Sequence, residues 1–501
     1  MHEAVHTQPG MGPRRNHLRA ASMHLLRVKI VLVLQVSCSM RPATCMTERH
    51  HVDVSPENWT AAVERAKSGS TVAFAPGMYY GCNVSLPANV TLIAALASDA
   101  ALRAGAHANS GVTVDCRASE RHFSVGKGVT NVRIEGLTLV NGRASNTGSG
   151  QGGGCVLIED DASISLRNVS LRNCSASGST GKGGAIFVGL RSTLWMRDVT
   201  VQGGLASSHG GGLYLWNASL VCTRCTIDRN VAFHGGGIFS INGSLELNNG
   251  SSIINNIARH RGGGILLESS TMILSASHIQ DNLCSNYGGG LDASRSTITL
   301  EQDASVPGNS VAGKASLRHD VDGLDTASGG GIAMFGSQLS LVHSSISDNK
   351  ADGMGAGVLA AMGAGVNATS LVRLGFGTSI ERNVALDSGG GLAITGGSTF
   401  VVCGGTGGLG ISISSNDARH GSGGGLLASS SVVRLGAGDL LLQNNSAGMN
   451  GGAMALLLSS QLHRGGRGQR EGRKGSVGGD EEGMGSLHRA IPPPDPVSYS
   501  S

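Results

Sequence analysis

The sequence predicts an all-β solenoid, a chain wound into stacked coils of three short strands each, and three observations carry that expectation. The first is an internal repeat: eleven tripeptides of the form GGG, GGA or GAG, each followed by an apolar residue or Cys. They end at Gly154, Ala185, Gly212, Gly237, Gly264, Gly290, Gly331, Gly357, Gly391, Gly425 and Ala453, at intervals of 31, 27, 25, 27, 26, 41, 26, 34, 34 and 28 residues. A period of this length is the mark of stacked supersecondary units. The second is the pattern inside a repeat. Between Gly235 and Gly264 the alternations IFS, SLEL and SIIN are separated by Asn, Gly and Ser, which are strands too short and too closely spaced to leave room for a helix. The third is composition: 79 glycines, 40% apolar residues but only 3% aromatics, so the core must be assembled from small aliphatic side chains that suit stacked strands.

The elements follow in chain order. Residues 1–45 form a leader in which Leu25 to Val36, LLRVKIVLVLQV, lies between basic residues and Ser37, Cys38 and Ser39. It is shorter than the roughly 20 apolar residues a spanning helix needs and fits a signal peptide with Met23 as its natural start; the alternative is a basic disordered leader. No transmembrane span is expected. Residues 52–150 hold an N-terminal cap and the first coils: Pro56 to Lys67 places Ala61, Ala62, Val63 and Ala66 at helical spacing, a short helix able to cover the open sheet end, with a turn at Ser68 to Ser70. Residues 151–462 are the repeats, in which glycine supplies the backbone freedom of a sharp corner. Asn230, Asn256, Asn282, Asn349, Asn383, Asn416 and Asn445 each precede the end of a tripeptide by seven to nine positions. They read as a structural ladder of turn amides rather than a sugar-binding row. Residues 463–501 are charged, Gly-rich and finally Pro-rich, a disordered tail by composition. No polar cap follows Leu462, as expected of a truncated chain or of an imperfect gene model.

The cap, then GSTVAFAPGMYYGCNVSLPANVTLIA, VTVDC and VTNVRIEGLTLVNG, resembles the opening of right-handed parallel β-helix proteins of the pectin-lyase-like superfamily. The Asn plus GGG/GGA repeats resemble those of chlamydial polymorphic outer membrane proteins and of related secreted algal and protist proteins. Together the resemblance covers Val52 to Leu462 and implies a right-handed parallel β-helix. The chlamydial proteins continue into a membrane barrel and are linked to adhesion; no such segment is present here. Polygalacturonases of the fold carry GHG and RIK-like motifs, and its esterases carry QAVAL-like and DFIFG-like stretches; none occurs here, and Tyr79 in PGMYYG matches only the shared structural opening.

Chemistry is sparse. A net charge of +4 from 38 basic and 34 acidic residues is too balanced for a nucleic-acid surface. Asp160 and Asp161 are adjacent, but sugar cleavage needs carboxylates in separated acid and base roles, and IEDDAS reads as a turn. His209, His234 and His260 precede three consecutive tripeptides and invite a metal or anion reading. Their offset changes from three residues to four, so exposed loop histidines are preferred. Asp320, Asp322 and Asp325 fall in an insertion, Glu301 to Ser328, and partly match a calcium loop but lack its closing Glu; a solvated loop is preferred. Cys222 and Cys225 form one CxxC without a second pair, favouring a local disulfide, stacked thiols or coincidence over zinc. Ten cysteines, nine once Cys38 is removed, leave the disulfide pairing open. Sequons at Asn58, Asn83, Asn89, Asn168, Asn173, Asn217, Asn242, Asn249, Asn367 and Asn444 agree with secretion. No catalytic, cofactor-binding or metal residue and no cofactor is assigned. The expected function is a secreted or cell-surface, non-enzymatic rod for adhesion or for contact with polysaccharide, cell-surface glycan or matrix. The alternative is a diverged carbohydrate-active lyase or hydrolase, which exposed Asp, Lys and Arg clustered on neighbouring coils would favour over a smooth Ser/Thr/Asn face.

Overall fold

One coil shows how the chain winds. After the corner Gly210 to Gly212 it runs through Leu213–Trp216 in sheet I, Ser219–Thr223 in sheet II, Thr226–Asp228 in sheet III and Val231–His234 in sheet IV, then meets the next corner at Gly235. Every strand pairs in parallel with its equivalent one coil away, as Leu213↔Ile238 and Leu220↔Leu245 do. The computed structural model, which describes residues 51–95, 111–145, 152–313, 327–363, 368–403, 410–436 and 440–464, is a right-handed parallel β-helix. Sheets I and III have 13 strands each, sheet II has 15 and sheet IV has 11. Beyond the three expected strands, eleven coils thus carry a fourth. At two residues in most coils, such as Ser175–Ala176, it is too short to leave an alternating pattern in the sequence.

Burial follows the pleat. In Ser219–Thr223, Leu220 and Cys222 point inward and their neighbours outward, and stacking such pairs builds one continuous core that no single coil could bury. Sheet I differs: Leu213, Tyr214 and Leu215 are all buried. The segment leading into each glycine corner folds over its outer face, so Lys182 lies over the Tyr214 ring and His209 meets Phe239 edge-on at 4.5 Å. Sheet I is therefore sandwiched between two apolar layers, the second holding Tyr214, Phe239 and Leu266.

Each glycine of a corner answers a different constraint. Gly235 has φ +60°, where a side chain is strained. At Gly236 a Cβ would lie 2.3 Å from the carbonyl oxygen of Gly263, and at Gly237 it would press on the Asn256 amide at 3.1 Å. The first corner stands one residue later than its GGG tripeptide suggests: Val156 pairs with Ile186, so it is Gly153–Gly154–Cys155, with Cys155 in the third position. Cys155 is bonded to Cys174, which stands where later coils have the ladder Asn. A disulfide thus replaces the contact between third glycine and Asn in that coil. A second bridge joins Cys82 to Cys116.

The asparagines do form a ladder, inside the coil rather than on its surface. Asn256 is fully buried; its Oδ1 accepts from the backbone N–H of Asn230 at 3.0 Å and from Asn230 Nδ2 at 2.9 Å, and its own Nδ2 donates to Ile227 O and to Asn282 Oδ1. The ladder includes Asn309, which bridges Asn282 and Asn349. Its spacing to the next tripeptide is stretched by the insertion, so the seven-to-nine rule passes over it. Replacing Asn309 with alanine leaves two donors of Asn282 without an acceptor and is expected to cost about 1–3 kcal/mol, read from the denaturant midpoint. A second ladder, not foreseen, runs through serines at the corner between sheets I and II, where Ser270 N donates to Ser296 Oγ and Ser296 N to Ser337 Oγ, both at 3.0 Å.

The other corners use left-handed residues that are mostly not glycine: Asn217, Arg224 and Arg229 have φ of 46°, 52° and 52° in a single coil. Asn is tolerated there because its side chain bonds locally. Eight sequon asparagines, Asn83, Asn89, Asn168, Asn173, Asn217, Asn242, Asn249 and Asn444, occupy such left-handed positions. The geometry writes the motif: a corner residue, a buried residue, then the Ser or Thr that opens the next stretch, as in Asn217–Ala218–Ser219.

The capping helix is shorter than expected, Trp59–Glu64, and its anchor is Trp59, whose Nε1 donates to Tyr80 O at 2.9 Å while its ring packs among Phe74, Tyr79 and Phe123. Of the alanines only Ala62 and Ala66 pack on the core. The strand Gln461–Arg464 carries sheet II two residues past Leu462. Within the insertion Glu301 to Ser328, residues up to Val311 continue the regular coil, with strands Ala304–Pro307 and Ser310–Val311. The leader, Asn367, and Asp320, Asp322 and Asp325 lie outside the described residues.

Candidate functional site

Aligning coils by the first corner glycine brings one position into a vertical row. Lys182 pairs with His209, His209 with His234 and His234 with Arg261, and Arg261 with Tyr287. His209 and His234 stack at 5.2 Å. His260 belongs to the neighbouring row, lying flat against Phe233 at 5.5 Å with its Nε2 3.2 Å from Asn286 Nδ2. The offset noticed in the sequence is thus a change of row, and the residue that continues the histidine row is Arg261.

Over sheet I this row is largely dry. His209 is 8% exposed, its Nδ1 within 2.6 Å of Ser208 Oγ and its Nε2 without a hydrogen-bond partner; His234 Nδ1 also has none. Burial and then the Lys182 charge hold His209 down at about 4, and burial with the neighbouring His209, His260 and Arg261 takes His234 to about 2. Both imidazoles are neutral over the physiological range. Arg261 is 3% exposed and clasps Asp292, itself fully buried, through Nε to Oδ2 at 2.6 Å and Nη2 to Oδ1 at 2.9 Å, with Ser294 Oγ at 3.1 Å. Burial opposes the guanidinium charge, but the Asp292 carboxylate outweighs it and keeps Arg261 protonated. Tyr214 and Glu268, both buried, complete the group, and burial followed by the Glu268 charge pushes the Tyr214 phenol up.

In this cluster Asp292 is not free to act as an acid or base. Asp292 is held in a bidentate ion pair away from solvent, and the row contributes cations and neutral rings. Among the described residues no three His, Cys, Asp or Glu side chains assemble into a metal site. Arg261, Asp292, Glu268 and Tyr214 were missed in the sequence; the readable signal was an acid in GGGLDAS where the preceding coils carry Phe239 and Leu266.

The other sequence candidates are structural. Asp160 Oδ1 accepts from Leu190 N at 2.9 Å, while Asp161 sits at a left-handed corner and binds Arg191 of the next coil through two bonds of 2.6 and 2.7 Å; the bond to Arg191 holds its carboxyl below the usual range. Asp198 with Arg224 and Asp348 with Arg382 repeat that arrangement at other corners. Cys222 and Cys225 are both buried as free thiols, and burial, with Cys225 beside it, pushes the Cys222 thiol well up.

Outside, sheet III presents a hydroxyl row. From Thr138 through Ser170, Thr200, Thr226, Ser252, His278, Ser305, Ser345 and Ser379 to Ser412 the paired positions carry Ser or Thr in every coil except that of His278. No helix among the described residues is long and apolar enough to cross a membrane.

No protein-family model and no curated protein matches the chain. Solved structures similar to it include the A-module of a mannuronan C-5 epimerase from Azotobacter vinelandii, at 15% identity over 80% of this chain and 93% of that one, with a TM-score of 0.35. A family 28 exopolygalacturonase from Yersinia enterocolitica matches at 9% identity over 83% of this chain and 78% of its own, with a TM-score of 0.35. PfbA, a surface adhesin of Streptococcus pneumoniae, matches at 10% over 78% and 87%, with a TM-score of 0.33. At these values the likenesses carry no argument about activity, and the functional reading rests on this chain's own residues.

Proposed function

We propose that the protein is a secreted or cell-surface rod that acts without catalysis, by contact with polysaccharide, cell-surface glycan or matrix. The observation that carries this reading is one of the two outward rows of sheet III, a run of ten coils with a hydroxyl in all but one, beside a mixed row that holds Arg172, Gln202, Gln280 and Glu381. Hydroxyls repeated at about 4.8 Å offer many shallow hydrogen bonds, each weak alone and effective together on a polymer that engages several at once. Four of the acids on the coils, Asp161, Asp198, Asp292 and Asp348, are each engaged by an arginine. Secretion is part of the proposal: the sequon asparagines at the left-handed corners are exposed or half-exposed, so oligosaccharides there would project away from the sheets.

The test is a panel of neutral and acidic polysaccharides incubated with the purified protein, scoring retention and cleavage together. Retention without new chain ends is the expected result. New reducing or unsaturated ends would overturn it in favour of a carbohydrate-active enzyme, and failure to retain any polymer would remove polysaccharide contact.

A further inference from the structure

Sheet IV has the opposite character to sheet III. Its outward position reads, in consecutive paired coils, Arg143, Ser175, Leu205, Val231, Ile257, Leu283, Ser310 and Lys350. Four aliphatic side chains in unbroken succession are thus bracketed first by serines and then by cations. Leu205 and Ile257 are 50% and 42% exposed, and Phe233 in the adjacent row is 44% exposed. An open groove of about 440 Å³ follows this stripe between Arg143 and Arg259, with Leu205, Val231 and Phe233 in its lining and no carboxylate among the lining residues. Arg143 Nε donates to Ser177 Oγ at 3.3 Å, which lays that side chain along the groove wall.

We propose that this face docks an extended segment of a partner protein, apolar at its centre and acidic at both ends, lying along the rod axis. The proposal rests on the reading of the protein as a contact-making rod but assigns this face a different class of partner. Three features select a peptide. The floor is aliphatic, so it would strip water from sugar hydroxyls without returning hydrogen bonds, whereas it suits Leu, Ile or Val side chains. The stripe spans three coil steps, roughly 14 Å, matching about four extended residues. The cations Arg143 and Lys350 stand seven steps apart, roughly 34 Å, matching carboxylates at the two ends of a segment of about ten residues. Contiguous exposed apolar surface rimmed by polar groups is the usual form of a protein contact.

The experiment measures binding of fluorescein-labelled peptides of about ten residues to the full chain by anisotropy. One peptide has a Leu/Val centre and Asp at both ends; one control replaces Asp by Lys, and a second replaces the centre by Ser. The acidic, apolar peptide is expected to bind at least about ten-fold more tightly than either control. Leu205→Ser with Ile257→Ser should lose about ten-fold, and Arg143→Glu with Lys350→Glu should shift preference toward the Lys peptide. All four side chains point outward, so unchanged thermal midpoints confirm that the coils are intact. Equal binding of the three peptides, or binding indifferent to Leu205→Ser with Ile257→Ser, overturns the proposal. So does polygalacturonate that binds this face and loses affinity with Arg143→Glu and Lys350→Glu but not with the two aliphatic replacements. Failure here leaves polysaccharide retention on the panel standing, and loss of that retention leaves the peptide result standing, so the two readings fall separately.

Discussion

Asp292→Ala is expected to lower stability by about 3–5 kcal/mol, read from the denaturant midpoint, because it leaves the Arg261 guanidinium buried without its counter-charge. Arg261 and Asp292 are 3% and 0% exposed, and the charge cannot reach water without opening the corner that covers sheet I. The remaining partners are weaker: the buried Glu268 carboxylate acts on Arg261 through its charge, Ser294 supplies one hydroxyl, and the Phe335 ring lies 5.8 Å from the guanidinium. The double replacement Arg261→Met with Asp292→Leu is expected to restore most of the loss, since it removes both desolvation penalties and keeps the volume. A loss under about 1 kcal/mol for Asp292→Ala would mean that water reaches the pair, as at the exposed Asp161–Arg191 corner. Because a solenoid can open locally, hydrogen exchange at Gly262 to Leu267 should report the same change on the coil concerned.

The coil was legible because it repeats. Glycine and Asn recur at spacings that the chain cannot vary without breaking a corner, so Gly235 to Gly237 and Asn256 announced themselves. What stayed hidden was whatever one coil does differently. Asn309 belongs to the ladder, but the inserted residues after it moved its tripeptide out of range. Cys155 and Cys174 fill the glycine and Asn positions, so their coil looked shifted by one residue. The buried serines of the second ladder are indistinguishable in sequence from surface serines, because only the stacking of Ser270 on Ser296 tells them apart. The candidate cluster was obscured by identity: histidine at 209, 234 and 260 looked like a column, whereas register places Arg261 in it. The outward rows on sheets III and IV need that register as well, since no local pattern joins Leu205 to Val231 and Ile257.

Acidification should weaken this protein before its carboxylates titrate, and the histidine row is the cause. His209 and His234 have folded values of about 4 and about 2, against 6.5 for an unperturbed imidazole, and burial is the largest cause for both. A depressed value means that the folded chain resists protons that the unfolded chain accepts. The contribution is therefore complete above pH 6.5 and is lost as the pH falls toward 4 for His209 and further for His234, at about 1.4 kcal/mol per pH unit for each ring. Between pH 6.5 and 5 that amounts to roughly 2 kcal/mol per histidine. His122, fully buried and also held at about 4, adds a third share three coils nearer the N-terminus. The charges facing the row sharpen the effect: Lys182 and Arg261 stay cationic, and Asp292 is already spent on Arg261. Denaturant midpoints at pH 7 and 5 should differ by several kcal/mol in the wild type, whereas His209→Gln with His234→Gln should keep only the shares of His122 and of His278, which burial also lowers. The slope is the readout, so it survives any uniform loss of stability from the substitutions. Parallel slopes in the two proteins would show that the row is hydrated and takes up protons where it stands.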